Sequence, residues 1–402
     1  MESADVVVVG GGPAGTAAAH AAARGGADVI LTEKGVPRAD RDGPGPDSTD
    51  AAGILDYWVD IWGINPADFP DGVLLRELDR AEFIGPSASV TIRETGIESS
   101  YSQFGFTYDR AKFDDWMIDR ARQAGADCRI GVGVRDVETS LEEGPRHTVV
   151  CRNGETIETD ALILADGPQR TVTMGVLNDF LPAGRAESAL SATHANHIAY
   201  QEYREFPEAA FEPTALKFWW GHMPGETAYP WVFPNDGNVA RVGLTMPIGL
   251  DLATVRDRDT YKLLRPDDER IPSGRTYIER LLDLAYPSYD VSDFPLVEDR
   301  GKRDGTETYP ISSTRPIDSP VGANVAVTGG AMGATSAFHE GGAHVAVATG
   351  RIAGDLAARG QLDRYNNAWK RTIGEEVNRN VAMADLVHDY GPRDWDRAFR
   401  VA

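Results

Sequence analysis

Two rhythms of hydrophobic and polar positions run along the chain. Val6-Val7-Val8-Val9, Ala161-Leu162-Ile163-Leu164-Ala165 and Val325-Ala326-Val327 are unbroken apolar runs. Such runs predict parallel strands buried on both faces. Elsewhere apolar and polar residues alternate, as in Ala88-Ser89-Val90-Thr91-Ile92, and predict antiparallel strands between 73 and 108. Further strands are expected at 128–137, 147–152 and 156–158. Phe113, Trp116, Met117 and Ala121 recur at helical spacing, which predicts a helix over 109–124 closed by Gly125. Ile54–Trp62, the stretch near 275–285, the Ala-rich stretch from Gly341-Gly342 to about Arg359, and the charged tail 361–402 are also expected to be helical.

Each of the three buried strands ends in glycine. The first runs into Gly10-Gly11-Gly12-Pro13-Ala14-Gly15, then an Ala-rich helix, a second strand Val29-Ile30-Leu31, and Glu33. Gly10, Gly12 and Gly15 fill the G-x-G-x-x-G positions of a dinucleotide-binding turn. The first glycine permits the turn, the second lets backbone approach a pyrophosphate, and the third lets helix and strand pack closely. The helix N-terminus opened by Pro13 and Ala14 presents unpaired N–H groups to phosphate. Glu33 stands where an acid bonds ribose hydroxyls. The second strand ends in Asp166-Gly167 with Arg170 just beyond, and the third in Gly329-Gly330-Ala331-Met332-Gly333.

These three strand ends, in this order, resemble the two-domain FAD enzymes that include aromatic hydroxylases, flavin halogenases and geranylgeranyl reductases. The resemblance covers roughly residues 4 to 360. It implies that Gly10, Gly12, Pro13, Ala14, Gly15 and Glu33 hold the FAD pyrophosphate and adenosine ribose. Arg110, Phe113 and Asp114 match an R-x-x-F-D pattern that places Arg110 near FAD, and Asp166 and Gly167 match the second FAD motif. In the third motif Gly330 replaces the usual Asp, and Gly333 closes it. Tyr229, Trp231, Phe233 and Pro234 match the Tyr-x-Trp-x-Phe-Pro stretch of geranylgeranyl reductases, with Gly243 after eight residues. Thr245 stands in place of a second glycine.

Alternation puts Tyr229, Trp231 and Phe233 on one strand face. With Trp219 and Trp220 they are candidates for an apolar wall against a prenyl chain, and they also suit an inter-lobe core. After the third motif, Ser336-Ala337-Phe338-His339-Glu340-Gly341-Gly342 occupies the family's loop beside the flavin ring. His339 and Glu340 are unusual there and are candidate proton donors. Gly341 and Gly342 would bring backbone N–H groups to the ring. Asp47, Ser48, Thr49 and Asp50 are a second place for polar contacts.

The fold expected is α/β. A Rossmann-like FAD-binding lobe (1–75, 106–178 and 304–360) is interleaved with a smaller α+β substrate lobe (76–105 and 179–303) that has an antiparallel sheet, and a helical segment follows over 361–402. The implied activity is FAD-dependent saturation of C=C bonds in geranylgeranyl-type chains for archaeal membrane lipid. NAD(P)H or a carrier protein would be the electron donor. A flavin monooxygenase, a flavin-only dehydrogenase serving a quinone or carrier, and a non-catalytic flavin or isoprenoid binder are the alternatives. Halogenation is disfavoured, because no lysine lies between Lys34 and Lys112.

Composition adds the setting. The 402 residues carry 40 Lys+Arg against 62 Asp+Glu, a net charge of −22. That repels phosphate backbones and argues against nucleic acid. Among the charges are 38 Asp and only 6 Lys against 34 Arg. An Asp-rich, Lys-poor surface suits molar salt, where repulsion is screened, so a halophile is expected. Two cysteines, Cys128 and Cys151, are too few for an all-cysteine iron–sulfur or zinc site, and no metal is expected. No signal-peptide pattern and no run of 18 apolar residues occurs. The expected place is the cytoplasm, with membrane contact limited to the periphery.

Overall fold

The four valines that open the chain form the centre of its main sheet. In the computed structural model, which describes residues 2–36, 52–190, 196–301, 303–312 and 315–402, strand Glu2–Val9 pairs in parallel with Val29–Glu33 on one side and Thr156–Leu164 on the other. Asp127–Ile130 and Val325–Val327 extend the parallel part. Val134–Ser140 and Arg146–Cys151 add an antiparallel end, which makes seven strands. Val6, Val7 and Val8 are each at most 1% exposed, as expected of a strand covered on both faces. The strands expected at 156–158 and 161–165 are one continuous element, and the expected 128–137 strand is broken in two by the turn at Gly131.

Helices Pro13–Arg24 and Ala343–Ala358 lie together on this sheet. A Cβ on Gly350 would sit 1.9 Å from the Ala14 carbonyl oxygen, and one on Gly354 2.1 Å from that of Ala18. The two helices therefore run side by side in parallel, nearly backbone to backbone. Ala343 starts seven residues before the Ala14 contact, roughly 10 Å further along the shared axis at 1.5 Å per residue.

A second seven-stranded sheet holds, in order, Thr306–Ser312, Asn196–Glu205, Val239–Pro247, Tyr229–Pro234, Ala215–Trp219, Arg80–Ile84 and Ser89–Ile92. The lobe boundary expected at 304 falls later, because Thr306–Ser312 is the edge strand of this sheet, paired with Asn196–Glu202. Helix Gly274–Ala285 covers its outer face with Tyr277, Ile278, Leu281 and Leu282 buried. A small sheet of Gly53–Leu55, Gly105–Tyr108 and Leu74–Leu78 bridges the two. Ile54 and Leu55 are thus strand, and the helix expected from 54 begins at Asp56.

The tail forms helices Tyr365–Val387 and Pro392–Val401. The first packs Tyr365, Trp369 and Ile373 into the core beneath the main sheet. Among the described residues no helix is long and apolar enough to cross a membrane, and no cluster of His, Cys, Asp and Glu could hold a metal. Cys128 and Cys151 are buried and unpaired. Burial pushes the Cys128 thiol up to about 11, so it stays protonated and inert.

Candidate active site

The glycine turn is shaped by contacts that forbid side chains. Gly10 has φ +106°, and a Cβ there would lie 2.3 Å from the Ala165 carbonyl oxygen. On Gly15 it would lie 1.8 Å from that of Gly10. Gly12 differs: a Cβ there would meet nothing within 4 Å. Open space therefore faces the N-terminus of helix Pro13–Arg24, whose N-cap Gly12 offers no side-chain cap. Unpaired N–H groups beside a vacant approach suit a pyrophosphate. Glu33 sits against this turn, where its carboxylate accepts from Gly11 N at 2.5 Å and Gly35 N at 2.6 Å.

The second and third strand ends are closed onto each other by Arg170. Its guanidinium, 3% exposed, donates to the carbonyls of Gly330 and Ala331 at 3.0 Å and of Pro168 at 3.2 Å. Burial pulls Arg170 down to about 10, so it remains a cation at neutral pH. A Cβ on Gly330 would lie 3.2 Å from the Pro168 Cδ, so a side chain there would make the proline ring give by a few tenths of an ångström. Gly333 ends the turn at φ +85°. Asp166 caps the following helix instead of standing free: it accepts from Val172 N at 2.7 Å, Thr173 N at 3.1 Å and the Thr173 hydroxyl at 2.5 Å. Gly167 takes φ +76°. Arg110 is buried, and its Nε donates to Asp114 at 2.7 Å, joining the two ends of the R-x-x-F-D pattern. Asp47, Ser48, Thr49 and Asp50 lie outside the described residues.

The loop Ser336–Gly342 precedes helix Ala343–Ala358 and so sits roughly 10 Å beyond the glycine turn along the helix pair. Glu340 has φ +57° without being glycine. Its buried carboxylate accepts from the hydroxyls of Thr227, at 3.1 Å, and Thr245, and lies 3.4 Å from His197 Nε2. Burial raises its pKa. Thr245, which stands where the resemblance expects glycine, is therefore the partner of an unusual acid. The Tyr229 hydroxyl donates to the His339 carbonyl at 2.6 Å. The loop and the second seven-stranded sheet are thus fastened together. Gly341 N donates to His339 Nδ1 at 3.2 Å, and Gly342 is the N-cap of the helix.

Tyr229, Trp231 and Phe233 do share a face, with Trp231 5.9 Å from Tyr229 and 6.4 Å from Phe233. The Trp231 indole lies on Gly243, where a Cβ would be 2.4 Å from the ring. Trp220 stacks on Tyr229 at 4.3 Å and on Phe338 of the loop at 5.1 Å. Trp395 of the last helix closes this cluster 4.5 Å from Trp220. Trp219 does not belong to the wall. Strand alternation turns it to the outer face, among Phe206, Tyr277 and Leu281. The indole nitrogens of Trp220 and Trp231 are buried without a hydrogen-bond partner, which leaves donors unsatisfied at the face opposite the loop.

The sequence did not point to Trp58, His344 or Glu376. Trp58 stacks on His339 at 4.8 Å and on His344 at 4.2 Å. Glu376, from helix Tyr365–Val387, is 3% exposed. It accepts from Trp58 Nε1 and the Tyr57 hydroxyl at 3.2 Å and from Asn380 Nδ2 at 3.1 Å, and also from Arg379.

Comparison with known proteins decides the family. The family described as "Glucose inhibited division protein A" matches residues 5–210, about half of the chain. The chain belongs to this family of FAD-dependent oxidoreductases. It is 25% identical over 411 residues to digeranylgeranylglycerophospholipid reductase 2 of Methanothermobacter thermautotrophicus, covering 98% of this chain and 91% of that one. It is 30% identical over 269 residues to geranylgeranyl diphosphate reductase of Rhodobacter capsulatus, covering 65% and 58%. In fold it matches a geranylgeranyl bacteriochlorophyll reductase-like protein from Thermoplasma acidophilum, with a TM-score of 0.75 at 20% identity over 100% of this chain and 91% of the other. The open turn at Gly12 and the uncapped helix start fit FAD, and the oxidoreductase assignment accounts for them.

Proposed function

We propose that this protein reduces C=C bonds in geranylgeranyl-type isoprenoid chains of archaeal membrane lipids. The observation that carries the reading is the facing of two surfaces. The loop Ser336–Gly342 stands about 10 Å beyond the glycine turn, and the aromatic face of Tyr229, Trp231, Phe233 and Trp220 lies against it. The full-length similarity to digeranylgeranylglycerophospholipid reductase 2 supports the same substrate class.

When bound, FAD supplies a hydride equivalent to one carbon of the double bond. Gly10, Gly12 and Gly15 with the N–H groups after Pro13 and Ala14 hold the pyrophosphate, and Glu33 faces the adenosine ribose. Arg170 fixes Gly330 and Ala331, so the floor of the ribityl site is backbone. Gly342, the N-cap of the helix, would present its N–H group to the ring. The aromatic face excludes water and aligns the chain. His339 and Glu340 are the proton-bearing groups of the loop. Electrons would come from NAD(P)H or a carrier protein, and the acidic, Lys-poor surface suits a saline cytoplasm. Anaerobic photoreduction tests the reading. Adding a geranylgeranylated glycerophospholipid to the reduced protein in molar salt should restore the oxidised flavin spectrum, while a fully saturated lipid should not. Reoxidation only by oxygen with an aromatic co-substrate would replace this reading with a hydroxylase.

A further inference from the structure

Four segments converge on one carboxylate oxygen. Oε1 of Glu376 accepts from Trp58 Nε1 and Asn380 Nδ2. It also lies 3.6 Å from His344 Nε2 and 3.8 Å from His339 Nε2. Neither of these buried imidazole nitrogens has any other hydrogen-bond partner. Because His339 Nδ1 accepts from Gly341 N at 3.2 Å, neutral His339 carries its hydrogen on Nε2, directed at Glu376. Both rings lie on Trp58, which fixes their planes.

The charges around Glu376 come from every element packed on it: Tyr57 from helix Asp56–Trp62, His339 from the loop, His344 from helix Ala343–Ala358, and Arg379 from its own helix. Burial alone would raise the carboxyl, but the His339 and His344 imidazoles beside it hold it well below the usual carboxylate range. Glu376 is a standing anion. Burial lowers His344, whereas the His339 side chain is 21% exposed and is the ring that meets solvent. A narrow crevice lined by Thr335, Ser336, Gly341, His344, Glu376 and Asn380 reaches His344 and Glu376.

We propose that Glu376 is the positioning residue of the proton source, and that His339 is the source. This rests on the reductase reading. The carbon that does not receive hydride takes the Nδ1 proton of the His339 imidazolium. The ring is left as the neutral form whose Nδ1 accepts from Gly341 N and whose Nε2 faces Glu376 in this structure, and solvent returns the proton at the exposed part of the ring. Hydride from FAD and one proton balance the saturation of one double bond. Glu340 is excluded from this role by its own partners, since Thr227, Thr245 and His197 surround its carboxylate on the substrate sheet.

The test uses the full-length protein and E376Q, with E376D as the conservative variant. Long-range proton–nitrogen NMR spectra should show His339 as the Nε2–H tautomer in wild type and a tautomer mixture in E376Q. Turnover of E376Q should fall about tenfold in kcat with KM unchanged, because the carboxylate that holds the ring in place is gone. E376D should restore part of each. Identical tautomer spectra in wild type and E376Q would overturn the proposal. So would an E376Q kcat equal to that of wild type. A wild-type protein that shows the tautomer but saturates no double bond would overturn the reductase reading, and the proton's destination with it.

Discussion

The glycine turn at Gly10–Gly15 and the loop at Ser336–Gly342 lie about 10 Å apart on one pair of helices, and they are built by opposite means. The turn is made of backbone held at contact distance and uses side chains only in Glu33. The loop is made of ionisable side chains, Glu340 buried on the substrate sheet and His339 held against Glu376 of the tail. A surface that grips a phosphate needs N–H groups and no bulk. A surface that moves a proton needs groups whose charge neighbours can set.

The comparison breaks most sharply at glycine. G15A and G350A each place a Cβ under 2 Å from a carbonyl oxygen. Backbones must then part, so each variant should lose at least about 3 kcal/mol of stability and purify without flavin. G12A meets nothing within 4 Å. It should melt within about 0.5 kcal/mol of wild type and still lose flavin, by thermal melting and absorbance. A G12A protein that keeps its flavin at wild-type affinity would move the pyrophosphate elsewhere.

At the loop the effects are smaller. T245V removes one donor from the buried Glu340 carboxylate and should cost about 1–3 kcal/mol, measured by urea unfolding. Pairing it with E340Q should cost less than the sum of the two single changes, because they share one hydrogen bond. No such coupling would mean that Thr245 replaces glycine for packing alone.

The two acids should also tilt stability in opposite directions with pH. Glu340 has a raised pKa in the fold. Its unfolded form loses its proton first, so stability falls as pH rises from the unfolded value of 4.5 towards the folded one. Glu376 is depressed from 4.5. Its contribution is present above that value and is lost as pH falls below it. E340Q should flatten the first slope and E376Q the second in urea midpoints across pH 3 to 8. Slopes unchanged by either substitution would remove both carboxylates from the pH response.

The turn was legible because its physics is local. Strand, glycines, helix, second strand and acid all fall within residues 6 to 33, and Gly10 and Gly15 mark positions where a side chain is forbidden. The aromatic face was legible by alternation, although the same alternation should have removed Trp219. Gly330 and Thr245 were visible as departures, but their surroundings were not. Arg170 closes the second strand end onto the third, and Thr245 meets Glu340 95 residues away. The Glu376 cluster carried no signal. Trp58 and Glu376 are 318 residues apart, and in sequence Glu376 is one acid in a charged helix. Only the packing of the tail beneath the loop distinguishes it from solvated neighbours such as Glu375.

The central claim is a chemical one, and mass settles it. The flavin-loaded protein is reduced anaerobically in molar salt, mixed with a geranylgeranylated glycerophospholipid, and the extracted lipid is weighed by mass spectrometry. The account predicts a gain of two hydrogens for each double bond reduced, in step with flavin reoxidised. Flavin reoxidised with the lipid mass unchanged would contradict it.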